Sequence, residues 1–179
     1  LVNEFGIDSV RWYLLKDFNF GVDADFQYKR FKEIVNNDLA NVLGNLLNRT
    51  ISMSRKWFDD SIPQSKIPNN HILALKSKQV INDYKEHMNS LDIQIALIKV
   101  IELATSANIM LNEKAPWKAI KIPEKLEEVS DDIYAILETT RIIGLLLSPI
   151  VPELSNRIMT QLGINKAIIK WELELDWGQ

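Results

Sequence analysis

The sequence predicts an all-α protein, an antiparallel helix bundle, and three observations carry that prediction. Only six glycines and six prolines punctuate 179 residues, too few for a turn-rich β architecture. Apolar residues recur at helical spacing through most of the chain. The stretches between those segments are short, which makes consecutive helices antiparallel neighbours. With 46% hydrophobic residues, a chain of this length can bury the core of a single domain.

The elements can be placed in order. Residues 1–20 contain an amphipathic segment, DSVRWYLLKD, with Val10, Tyr13 and Leu14 on one side. FNFGVDADF, residues 18–26, reads as a loop, with Gly21 at the turn and Asp23 or Asp25 as a helix N-cap. One long helix runs from there to about Phe58. Each helical residue advances the side chain by about 100°, so Val35, Leu39, Val42, Leu46, Thr50 and Met53 share an arc that must face a core. Gly44 costs about 1 kcal/mol relative to alanine and lies off that arc, where a missing side chain leaves room for another element or a ligand. DDSIPQSKIPNN, residues 59–70, then breaks the pattern as a loop.

Asn70 caps the next helix, whose core positions include Ile72, Leu75, Val80, Ile81 and Tyr84. Ser90-Leu91-Asp92 marks another start, and Ile93, Leu97, Val100, Ile101, Ala104, Ala107 and Leu111 keep helical spacing to about Glu113. Pro116 disfavours a helical Ala115 and opens a new turn at the first helical position. The charged stretch IPEKLEEVSDD leads into a helix that turns Ile133, Ile136, Leu137, Thr140, Ile143, Gly144 and Leu147 inward and stops at Ser148-Pro149. A shorter helix from about Pro152 ends with Gly163 as its C′ residue. In the tail, Ile169, Trp171, Leu173, Leu175 and Trp177 alternate with polar residues, the period of a strand. No partner strand is evident, so the tail is expected as an extended arm packed on the bundle.

Composition excludes several kinds of chemistry. There are no cysteines, which removes disulfides, thiolate metal sites and a cysteine nucleophile. His71 and His87 are too far apart for a helical ligand pair and read as surface histidines, so no metal site is expected. The net charge of −3 rules out attachment to nucleic acid by bulk positive charge, leaving only a local patch. The run Ile142–Leu147 is far short of a membrane span, and no membrane partner is expected. No targeting peptide is visible, and a soluble, reducing compartment is the default. The chain opens on Leu1 within what already reads as structure, as a piece of something longer would.

No catalytic residues are evident: there is no glycine-rich phosphate loop, no acid pair beside a nucleophile and no triad-like histidine. Binding is easier to locate. Asn41, Asn45 and Arg49 follow at i, i+4 and i+8 and climb one line at the border of the apolar arc. Partly shielded there, amides and a guanidinium discriminate better than in full solvent. The same residues could instead tie neighbouring helices together, with Arg49 snorkelling or pairing with an acid. Trp117 follows Pro116 at an interruption, where an indole can project, and Lys114, Lys118, Lys121 and Lys125 surround it. An aromatic face among ammonium groups suits single-stranded bases and phosphates, although a core tryptophan beside a solvated lysine face has the same pattern. Brought together, the row and the indole would make a pocket for an unstacked base, the usual way RNA loops are recognised.

RWYLL near the start, FGVDADF, NNDLANVLGNLLNR and NEKAPW resemble, in order, the region that follows the catalytic domain in methionyl-tRNA synthetases. The likeness runs from residue 1 to at least Leu162, and Asn-x3-Asn-x3-Arg followed by Ala-Pro-Trp is its most specific part. The resemblance implies an anticodon-binding helix bundle of the class I aminoacyl-tRNA synthetase type over residues 21–163. It implies a linker and stem-contact segment over 1–20 and a C-terminal arm over 164–179. Asn45 and Arg49 would contact anticodon bases, with Asn41 in support. Trp117, oriented by Pro116, would stack on the first anticodon base, and Lys114, Lys118 and Lys121 would hold phosphates. The implied partners are methionine tRNA with a CAU anticodon and the catalytic domain of the same parent chain, in the cytoplasm.

The motifs with which this family binds ATP and forms the adenylate are missing, as is its zinc-bearing insertion. The fragment therefore carries no cofactor and should be inactive alone, while ATP and methionine would bind the parent's catalytic domain. Two other readings keep a helical fold: the anticodon domain of a sister class I synthetase, and a scaffold that binds protein through an apolar groove.

Overall fold

The computed structural model describes residues 1–19, 21–63, 65, 70–164 and 174–178, and among these every regular element is helical. In chain order they are α1 (Val2–Phe5), α2 (Ile7–Asp17), α3 (Tyr28–Ile34), a π-helical segment (Val35–Gly44), α4 (Asn45–Trp57), α5 (Ile72–Asn89), α6 (Ile93–Lys114), α7 (Pro116–Ala119), a 3₁₀ turn (Pro123–Lys125), α8 (Leu126–Leu147) and α9 (Pro152–Gln161). Helix α6 packs between α5 and α8, and α8 also contacts α4, α5 and α9. Its second half, from Ala135 to Leu147, is buried throughout, which makes α8 the axis of the bundle. By length and composition α6 is apolar enough to cross a membrane. Its inward residues, including Leu97, Val100, Leu103 and Leu111, are instead sealed in the protein core.

Several expected ends hold because they depend on local chemistry. Ala115 sits in the left-handed region (φ 43°, ψ 57°), and Pro116 opens α7. Gly163, at φ 78°, follows α9 as its C′ residue. Other ends differ. Gln27, not Asp23 or Asp25, precedes α3 and makes no side-chain cap. Its N–H donates to Tyr13 Oη at 3.3 Å, and that loop is held by rings: Tyr13 meets Phe18, Phe26 and Phe31 edge-on. His71 rather than Asn70 caps α5, its Nδ1 accepting the Leu73 N–H at 3.2 Å. It is half-buried rather than a plain surface residue, and burial together with the Lys114 charge pushes its imidazole below the ordinary histidine value.

The long helix is continuous in direction but not in register. Across the π-helical segment the backbone bonds i→i+5, as when Asn45 N–H reaches Ala40 O. Each wider turn retards the wheel, so the buried stripe of α4 becomes Leu46, Leu47, Thr50, Ile51 and Ser54, joined by Leu43 before it. Val35, Leu39, Val42 and Met53 are only partly buried. Gly44 is explained by the same geometry: a Cβ there would sit 3.0 Å from Leu39 O, a carbonyl of its own turn, so the glycine serves the backbone and not a visiting element. The first turn of α5 also departs from the expected stripe, with Ile72 and Leu75 exposed and Leu73 and Ala74 buried in their place. In α2, Trp12 joins Tyr13 inside, whereas Leu14 is exposed.

Residues 1–19 dock firmly onto the bundle. Arg11 Nε donates to Ile150 O at 2.6 Å, and Asp8 Oδ2 accepts from Leu154 N at 2.6 Å in the first turn of α9. Trp12 Nε1 donates to Asp38 Oδ2 at 3.1 Å, anchoring the π-helical segment. At the other end, residues 174–178 turn rather than extend, and Leu175 enters the core. Ile169, Trp171 and Leu173 of the expected arm lie outside the described residues.

Candidate nucleic-acid interface

The left-handed backbone at Ala115 turns the chain sharply out of α6. Lys118 N–H closes that turn on Ala115 O at 2.8 Å. Pro116 is buried against the bundle and Trp117 projects, 37% exposed. The indole therefore lies at the surface.

Arg49, on α4, meets it there. Its guanidinium carbon lies 5.3 Å from the Trp117 ring centre, a cation–π distance. Nη2 also donates to Asn112 Oδ1 at 3.0 Å, and Asn112 stands on the last turn of α6 just before the bend. Three segments thus converge on one corner. Asn41, in the π-helical segment, and Asn45, at the start of α4, are exposed, and neither amide has a partner among the described residues. The ties between helices are made from the other side: Asn108 Nδ2 donates to Val42 O at 3.1 Å, and Asn112 receives Arg49.

The lysines divide. Lys114 is committed to α8, with Nζ 2.9 Å from Glu128 Oε1 and 3.7 Å from Asp132 Oδ1. The Glu128 hydrogen bond raises the Lys114 ammonium above its ordinary value, and Glu128 is lowered in return. Asp132 moves the other way. Its burial outweighs the nearby ammonium and pushes its carboxyl up to about 6. Lys118 and Lys121 are exposed and have no ion pair among the described residues. A partly exposed indole and a guanidinium held by two partners can take a splayed base, and the exposed Lys118 and Lys121 follow on the same segment as the indole.

Asn112 is the site residue that the reading of motifs did not single out. It lies in NEKAPW, five residues before Trp117, but its role depends on a residue 63 positions away. Conversely, no acid pairs with Arg49 among the described residues.

Comparison with known proteins identifies the family. Residues 1–51 match a family model described as tRNA synthetases class I (M), and residues 63–176 match one described as the anticodon binding domain of methionyl tRNA ligase. A methionine–tRNA ligase of Thermosynechococcus vestitus is 39% identical over 166 residues, covering 91% of this chain and 31% of that protein. That of Bacillus subtilis is 35% identical across 100% of this chain and 28% of its own length. Among solved structures, free Mycobacterium tuberculosis methionyl-tRNA synthetase superposes with a TM-score of 0.82 at 26% identity, over 88% of this chain and 33% of that one. Its complex with methionyl-adenylate gives 0.83. These matches make the fold a tRNA-synthetase helix bundle of class I. More narrowly, the chain belongs to the methionyl-tRNA ligase family, as its anticodon-binding domain. It spans about a third of the length of these relatives.

Proposed function

We propose that this chain reads the CAU anticodon of methionine tRNA on behalf of a methionine–tRNA ligase. The observation that carries the reading is the 5.3 Å approach of Arg49 to an exposed Trp117. In a splayed loop the first base stacks on Trp117, worth about 1–3 kcal/mol. Asn45 and Arg49 hydrogen-bond to base edges, supported by Asn41, and Pro116 sets the angle of the indole. A wrong base leaves desolvated groups unpaired at about 1–3 kcal/mol each, which is the source of selection. Phosphate holding falls chiefly to Lys118 and Lys121. Lys114 reaches a phosphate only by exchanging a carboxylate partner.

In the complete ligase, a catalytic domain binds ATP and methionine and charges the tRNA in the cytoplasm. Residues 1–20 link that domain to the bundle of residues 21–163. Filter binding with anticodon stem-loops tests the reading: CAU should bind at least tenfold tighter than UAU, and Trp117→Ala should erase most of the difference. Equal binding of unrelated loops would reject it, and preference for another class I anticodon would reassign the domain.

A further inference from the structure

π-Helical turns are rare and mostly occur singly at functional sites, so the ten-residue run Val35–Gly44 needs support from outside. Two anchors supply it. Near its start Trp12 Nε1 donates to Asp38 Oδ2 at 3.1 Å, with Lys16 Nζ 4.0 Å from the same oxygen. Near its end the support comes from α6, through Asn108.

The side-chain Nδ2 of Asn108 carries two hydrogens and has two acceptors. Ala104 O, at 3.2 Å, belongs to its own helix, whereas Val42 O, at 3.1 Å, lies across the interface. The first bond fixes the amide on α6, and the second passes that fixity to the neighbouring helix. Val42 O occupies a particular place in that helix. Asn45 N–H, on the residue where the wide turns give way to α4, is shared between Ala40 O and Val42 O. Asn108 therefore donates to a carbonyl at the junction itself, and a fixed external donor keeps that carbonyl where the wide turns place it. About one helical turn further along α6 stands Asn112, whose Oδ1 accepts from Arg49 Nη2 at 3.0 Å. One face of α6 thus holds the long helix twice, at its backbone junction through Asn108 and at its guanidinium through Asn112.

We propose that Asn108 is a positioning and specificity-determining residue: its bond to Val42 O sets the rotational phase of α4, and with it the place of the Arg49 guanidinium beside Trp117. Asn108 acts on Arg49 through the backbone between residues 42 and 49. Its effect on RNA binding rests on the reading of the Arg49–Trp117 corner as the anticodon site, whereas its effect on the free chain does not.

The test has two arms. In the free ¹⁵N-labelled chain, the Arg49 Nε–H resonance, assigned by its loss in Arg49→Lys, carries a ring-current shift from the indole that Trp117→Ala removes. Asn108→Ala should move that resonance most of the way to its position in Trp117→Ala. A resonance that stays in place would overturn the proposal. In the second arm, filter binding with CAU and UAU stem-loops compares Asn108→Ala, Arg49→Ala and the double variant. Asn108→Ala should weaken CAU binding about tenfold and UAU binding at most about threefold, yet add at most about twofold to the loss caused by Arg49→Ala, as befits a residue that acts through another. Equal losses for the two loops, or full additivity with Arg49→Ala, would reduce Asn108 to a structural tie and overturn the proposal. If Asn108→Ala does not fold, Asn108→Leu, of similar length and without a donor, takes its place in both arms. Equal binding of CAU and UAU by the unaltered chain would reject the anticodon reading, and the Arg49 resonance would then decide whether Asn108 places the guanidinium.

Discussion

Arg49 is fixed from two sides: its guanidinium stands 5.3 Å from the Trp117 ring centre while Nη2 donates to Asn112 Oδ1 at 3.0 Å. A long side chain at the surface ordinarily loses rotamer entropy when it binds a ligand. Here two residues of the α6–α7 bend hold it in place before RNA arrives. Asn112→Ala should therefore weaken binding of the CAU stem-loop about tenfold, roughly 1.4 kcal/mol. Because Asn112 and the contact are exposed, the urea midpoint should hardly move. An unchanged affinity would make Arg49 self-sufficient.

Arg49→Lys separates charge from shape. An ammonium keeps the positive charge but has no plane to lie over the indole and no fork to reach Asn112 and a base together. CAU binding should fall about tenfold, with the slope of log affinity against log salt unchanged. A loss of slope with selectivity intact would make Arg49 a phosphate contact instead.

Lys118→Ala and Lys114→Ala should behave differently. Lys118 makes no internal ion pair among the described residues, so its removal should weaken all stem-loops alike and reduce the salt slope by about one. Lys114 bonds Glu128 and lies 3.7 Å from the buried Asp132, so its loss should mainly lower folding stability. Denaturant titration beside filter binding distinguishes the two. Equal effects on both measurements would contradict the division.

Asp132 imposes a pH dependence. Its carboxyl titrates at about 6 in the folded chain, above the ordinary value near 3.8, because burial disfavours its charge. The folded state therefore binds the proton more tightly than the unfolded state between those values. Stability contributed by this group falls as pH rises from about 4 to about 6 and is flat above, a loss on the order of 2–3 kcal/mol. Urea unfolding at pH 4, 5, 6 and 7 should show that decline relative to Asp132→Asn, which lacks it. Parallel curves would place Asp132 in a more polar setting.

Gly144 brings α9 close to α8. A Cβ at this position would lie 3.0 Å from both Ile158 Cγ2 and Met159 Cε, while Gly144 O accepts from Ser155 Oγ at 2.7 Å. The Met159 methyl can swing aside, but the branched Ile158 cannot. Gly144→Ala should cost about 1–3 kcal/mol by urea unfolding despite its better helix propensity. A gain in stability would mean that the two helices part freely.

The sequence was most legible where structure depends on neighbours in the chain. Pro116 forces Ala115 out of the right-handed helix, and that alone projects Trp117; Gly163 likewise ends α9 unaided. The stripe of α6 was legible because Leu97, Val100, Ala104, Ala107 and Leu111 keep one unbroken register and are buried, with Ile93 and Ile101 at its margin only partly so. The long helix misled in its middle because the wheel assumes i→i+4 bonding, and no spacing of side chains announces i→i+5. Leu47, Ile51 and Ser54 were missed for that reason. At the corner, Trp117 and Arg49 stood out by chemistry, whereas Asn112 is an ordinary polar residue until tertiary folding sets it beside a guanidinium.

The irregular stretch Val35–Gly44 has one more consequence. Its near end is bolted to Trp12 through Asp38, and α4 beyond its far end presents Arg49 to Trp117. Removing one residue between them, with the remaining wide turns kept, would swing the far half around the helix axis. The guanidinium would then miss the indole, although every residue that touches RNA in the proposed complex was still present. Chain length over this interval works as a gear setting, so a single-codon deletion here should silence recognition more thoroughly than most substitutions at the corner itself.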